Sequence, residues 1–125
     1  MQLLYVIFTS ILLSMTAGVP YAEIEQAFEN NSSADIAKLS KDKVLINIMG
    51  KEGVYSKSQA ALVLKDFFQK NPGNSFDFFF KGKETNEGTF AIGKYTSKAG
   101  EFRVTIHFKN ISGAFRIESL AIERS

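Results

Sequence analysis

The chain has 125 residues, 15 basic and 13 acidic side chains, a net charge of +2, 45% hydrophobic residues and 22% charged ones. That is one domain of ordinary soluble composition, and so weak a charge excludes a nucleic-acid partner gripped by a basic surface. The absence of cysteine and the single histidine exclude disulfides, thiolate or multi-histidine metal centres, cysteine nucleophiles and a lipidated cysteine; 12 phenylalanines without a tryptophan point to a core of aromatic rings.

Leu3 to Val19 carries no charge, its strongly apolar part ends at Leu13, and small residues follow at Thr16-Ala17-Gly18 and again at Ala22. This order predicts a signal peptide over residues 1–22 and a mature domain over 23–125. An exported protein is expected, periplasmic or extracellular, with no membrane span after cleavage. The alternative is anchoring by an uncleaved amino-terminal segment.

From Ala22 the spacing turns helical, with Ile24, Ala27 and Phe28 on one face and Glu23, Glu25 and Glu29 on the other. Asn30-Asn31-Ser32-Ser33 interrupts it, and Ser33 is placed to cap a short second helix, Ala34 to Leu39. Val44-Leu45-Ile46-Asn47-Ile48 alternates as a strand. Gly50 to Tyr55 is expected to be a loop between two glycines. Ser56-Lys57-Ser58-Gln59 then fits a capping box, opening a helix that buries Ala60, Val63, Leu64, Phe67 and Phe68 and stops at Asn71-Pro72-Gly73.

The remainder reads as four strands joined by hairpins. Phe76, Phe78 and Phe80 are expected inside, as are Phe90 and Ile92 of the next strand. The third strand alternates strictly, with Phe102, Val104, Ile106 and Phe108 inward and Arg103, Thr105, His107 and Lys109 outward. In the fourth, Phe115 and Ile117 are out of phase with Leu120 and Ile122, so a β-bulge near Glu118-Ser119 is expected. One-sided apolar faces require the helices to cover one side of a largely antiparallel sheet, an α+β fold.

Gly50-Lys51-Glu52-Gly53-Val54-Tyr55-Ser56-Lys57, Leu64-Lys65-Asp66-Phe67-Phe68, Lys70-Asn71-Pro72, Tyr95-Thr96 and Phe102-Arg103-Val104 resemble the family of exported bacterial proteins called domain of unknown function 4783. The resemblance runs from about Ala22 to Arg124. It implies a nuclear transport factor two-like, or cystatin-like, cone in which helices close over a curved sheet, and it supplies no reaction. Enzymes of that fold often hold a His–Asp or Tyr–Asp pair inside the cone.

Here the residues offer little chemistry. His107 falls on the face away from the helices, and Glu84 and Glu87 lie in a hairpin turn. Gly50-Lys51-Glu52-Gly53 lacks the length and the terminal Gly-Lys-Ser/Thr of a phosphate loop. The expected inward residues contain no ionisable group. The expectation is therefore a small non-enzymatic binding or interaction module without cofactor or metal, taking a small apolar ligand or a protein partner. The alternative is a small hydrolase or isomerase with its site in the cone cavity. Phe79, Tyr95, Arg103 and His107 on the outer sheet face form a candidate interface, one that a weak homodimer could use.

Overall fold

The computed structural model describes residues 18–125. The signal-peptide reading falls mainly on residues 1–17, outside the described residues; of its remainder, Val19 and Tyr21 pack against the core. None of the described helices is long and apolar enough to cross a membrane.

Helices α1 (Tyr21–Glu29) and α2 (Ser33–Lys38) bury the expected Ile24, Ala27, Phe28, Ile36 and Ala37. Between them Asn31 adopts a φ of 54°, a left-handed conformation that asparagine enters more readily than most residues. Ser32 rather than Ser33 caps α2, its hydroxyl accepting from the Asp35 N–H. Strand β1 (Ser40–Ile48) buries Val44 and Ile46.

Gly50 to Tyr55 is not a loop. Lys51–Ser56 forms β2, a hairpin with β1 through a two-residue turn in which Met49 and Gly50 have φ of 52° and 87°. Positive φ at both positions gives the turn a twist that matches its strands. Gly53 is a strand residue opposite Ile46, and a Cβ on it would come within 2.6 Å of the Tyr55 hydroxyl oxygen. The glycine makes room for the Tyr55 ring, so it marks close packing rather than a break. Helix α3 (Lys57–Lys70) starts at the expected capping box, with Ser56 Oγ accepting from Gln59 N–H and Gln59 Oε1 accepting from Ser56 N–H.

The chain then runs through β3 (Gly73–Lys81), β4 (Gly88–Ser97), β5 (Gly100–Ile111) and β6 (Ala114–Arg124), each antiparallel to the next. Strand β6 pairs parallel with β1, which joins everything into one six-stranded sheet ordered β2-β1-β6-β5-β4-β3. The helices lie on one face, as an α+β fold requires. The expected bulge in β6 is present: Glu118 is the extra residue between the pairs Phe108↔Ile117 and His107↔Ser119. It returns Leu120 and Ile122 to the buried face of Ile117.

Strand β4 faces the opposite way to the expectation. Ala91, Gly93 and Tyr95 are buried under the helices, whereas Phe90 is 37% exposed and Ile92 lies on the outer face. Gly93 and Tyr95 pair with the inward Phe78 and Phe76, which sets the phase of β4, and beyond them β3 carries a second bulge. Phe79 is extra between the pairs Phe78↔Gly93 and Phe80↔Ile92, so Phe80 leaves the inner face that Phe76 and Phe78 occupy. Lys81, opposite Ala91, turns to the helix side and sets its ammonium 4.5 Å from the centre of the Tyr21 ring. The Phe76 ring lies directly over Gly93, where any Cβ would collide with it. Only glycine fits beneath it.

Candidate functional site

The cone interior is closed. Tyr95 sits at its centre among Phe28, Phe67, Phe68 and Phe102, with ring centroids 5.6–6.3 Å away. Its hydroxyl lies 2.7 Å from the Asn71 carbonyl oxygen and 3.1 Å from Asn31 Oδ1 and can donate to either. The Asn31 amide also accepts from the Gly73 N–H and donates to the Gly73 carbonyl. Burial pushes the Tyr95 phenol up to about 12, and the nearby Gly73 backbone only partly opposes this. Contrary to the expectation, then, one ionisable group does point inward and has polar partners. A phenol that keeps its proton at neutral pH and spends it on a helix-end carbonyl is suited to locking the fold, not to moving protons.

The ring itself is fully buried, although a groove at the surface reaches its neighbours Phe67 and Asn71. The void inside the cone measures about 10 Å³ and is bounded by side chains such as Ile36, Val44, Ile46, Leu64 and Leu120. Ser40, which also borders it, spends its hydroxyl on the Ala37 carbonyl at 2.6 Å. Among the described residues no cluster of His, Asp and Glu could hold a metal ion.

The outer sheet face brings together some of the expected interface residues and replaces others. Arg103 and His107 point outward, and Phe79 is 63% exposed at its bulge. Tyr95 does not belong to this surface: it is fully buried on the other side. In its place stand Phe80 and Phe90, which the alternation of β3 and β4 had assigned to the core. His107 stacks on Phe90 at 5.4 Å, and Phe90 meets Phe80 at 5.2 Å.

Two register rows cross this face. One runs Val54, Leu45, Ser119, His107, Phe90; the next runs Glu52, Asn47, Ala121, Thr105, Ile92, Phe80. A charged row flanks them on one side, where Arg103 pairs with Glu123 at 3.5 Å and Lys94 with Glu101 at 3.5 Å. On the other side Lys109 stands opposite Arg116. The signal available in the sequence was size: Gly93 is the residue that an overlying Phe76 demands.

The second feature is a groove of about 480 Å³ where the β1–β2 hairpin meets α3. Ile48, Met49 and Tyr55 line it from the hairpin, and Leu62, Val63 and Phe67 from the helix, with Lys51, Asp66 and Lys70 also on its lining. Val63, Asp66, Phe67 and Lys70 share one helix face by their spacing. The capping box begins α3 immediately after β2, so the helix returns alongside the hairpin. The two segments on which the sequence resemblance most rests, Gly50–Lys57 and Leu64–Pro72, therefore meet here.

The sequence profile described as "Domain of unknown function (DUF4783)" matches residues 21–123. A DUF4783 family protein from Bacteroides ovatus is 29% identical, with a TM-score of 0.77 over 83% of this chain and 94% of that one. Another, from Bacteroides uniformis, is 28% identical, with a TM-score of 0.79 over 86% of this chain and 98% of that one. An NTF2-like protein of unknown function from Shewanella baltica shares the fold alone, at 10% identity and a TM-score of 0.64 over 82% of this chain and 86% of that one. No curated protein matches the chain. By profile and by architecture, the chain belongs to the DUF4783 family and carries its NTF2-like, cystatin-like fold.

Proposed function

We propose that the domain is an exported, non-enzymatic interaction module whose closed core is scaffold and whose contact surface is the outer sheet face, where two copies pair. The observation that carries this reading is the exposed stack of Phe80, Phe90 and His107 at the β3–β4 end of the two register rows, with charged residues beside it. Exposed aromatic residues with charges beside them are enriched at protein interfaces. A two-fold axis uses one such patch twice, so a modest self-complementary surface suffices. Small Ser119 and Ala121 leave space beside the rings.

Like charges across the axis would oppose this pairing. That objection is weakened because Arg103 and Lys94 each have a carboxylate beside them and Lys81 faces the helices instead. Export is supported by the apolar Leu3–Leu13 run ahead of small residues. Sedimentation equilibrium of the purified domain over a wide concentration range tests the pairing. A reversible dimer abolished by Phe90→Lys is expected; a wild-type domain that stays monomeric at high concentration overturns it.

A further inference from the structure

We propose that the groove between the β1–β2 hairpin and α3 binds a linear acyl carboxylate, its tail against Ile48, Val63 and Phe67 and its head group between Lys51 and Lys70. The volume of about 480 Å³ lies in the range of small-molecule sites. Its floor is apolar, with Phe67 buried and Ile48 and Val63 half-buried, while Lys51, Asp66 and Lys70 are exposed at the rim. An occupant must therefore be apolar along its body and charged, if anywhere, at one end. A peptide would bring N–H and C=O groups that Ile48, Met49, Leu62, Val63 and Phe67 cannot pair, at a cost for each one buried.

The rim selects the sign of that charge. Its lining carries two lysines, Lys51 on the hairpin and Lys70 on α3, against one aspartate, Asp66, beside Lys70 on the same helix. Lys70 holds Asp66 at 3.0 Å, but both side chains are well exposed, and such a pair on a helix surface is weak enough to be exchanged for another. Lys51 has no carboxylate within 4.0 Å among the described residues. An incoming carboxylate thus meets one cation without competition and a second at little cost. Met49, at the hairpin turn and 42% exposed, adds an adaptable apolar side chain at the mouth, suited to tails of differing length.

Calorimetry and amide-shift mapping with decanoate, kept below its micelle-forming concentration, test this, with decanol as the neutral counterpart. The expected result is saturable one-to-one binding of decanoate, shifting residues of β2 and α3, with decanol weaker. Lys51→Glu should weaken decanoate about three- to tenfold, a reversed exposed charge being worth on the order of 1 kcal/mol, and leave decanol unchanged. Leu62→Glu, at an exposed position, should weaken both. Binding that does not saturate, shifts that appear elsewhere, or equal binding of decanoate and decanol by wild type and Lys51→Glu alike would overturn the proposal. The monomeric Phe90→Lys variant should bind decanoate as wild type does, which separates this site from the sheet-face contact.

Discussion

The Tyr95 hydroxyl lies 2.7 Å from the carbonyl oxygen of Asn71, the residue that ends α3, and so ties the middle of the sheet to the end of its longest covering helix. Asn31, between the first two helices, meets the same hydroxyl and also the Gly73 peptide. Three segments distant in sequence are thus held at one point.

Tyr95→Phe keeps the ring and removes the tie, leaving the Asn71 carbonyl short of a donor. A loss of about 1–3 kcal/mol is expected, the usual cost of an unpaired buried acceptor, measured as a shift in the urea midpoint. A variant as stable as wild type would mean that water replaces the phenol freely.

The same residue sets an alkaline limb in stability. Its folded pKa of about 12 lies above the ordinary 10.0, so the folded state binds the proton more tightly than the unfolded chain. This contribution is complete below about pH 10 and is lost as pH rises toward 12. Tyr21, raised by burial and secondarily by Glu84, adds in the same direction. Urea midpoints followed from neutral pH into this window should fall, and fall less steeply in Tyr95→Phe.

Substitutions along the sheet check which way its faces point. Ile106→Ala and Phe102→Ala should cost roughly 2–5 kcal/mol, whereas His107→Ala, at an exposed site, should cost about 0.5 kcal/mol or less. Gly93→Ala should destabilise by about 1–3 kcal/mol because its methyl meets the Phe76 ring. A neutral Gly93→Ala in thermal or urea melts would contradict the inward face of β4.

Processing has a structural constraint. Tyr21 packs edge-on against Phe78 at 5.0 Å and Phe108 at 6.2 Å, so cleavage after Ala22 would remove part of the packed core. The mature chain is expected to begin ahead of Tyr21, close to Val19. Amino-terminal sequencing from the producing cell checks this; a start at Glu23 would show that the Tyr21 contacts are dispensable, and a start at Met1 in a membrane fraction would favour the anchor.

Where one face alone is apolar, the sequence was readable. Strand β5 alternates without ambiguity, the phase break in β6 located Glu118, and Ser56 with Gln59 announced α3. Strand β4 offered apolar residues on both faces, Phe90 and Ile92 against Ala91 and Tyr95. Choosing between them required knowing that Phe76 would lie on Gly93, a contact between strands that no local pattern contains. Gly50 and Gly53 looked alike as loop punctuation, yet one turns the hairpin and the other makes room for Tyr55. The outer patch was found through His107 and Arg103 but misplaced at Tyr95 because β4 is apolar on both faces, and Phe80 was missed because of the Phe79 bulge. The groove joins two segments that only the fold brings together.

Self-association through the outer sheet face is expected to centre on Phe90. Backbone amide spectra recorded during serial dilution of the wild-type domain test it most directly, because they report both association and its location. Concentration-dependent shifts concentrated at Phe80, Phe90, Ile92, Thr105, His107 and their row neighbours, and absent in Phe90→Lys, are the expected result. Spectra unchanged on dilution, or shifts centred on the helices, would contradict the account.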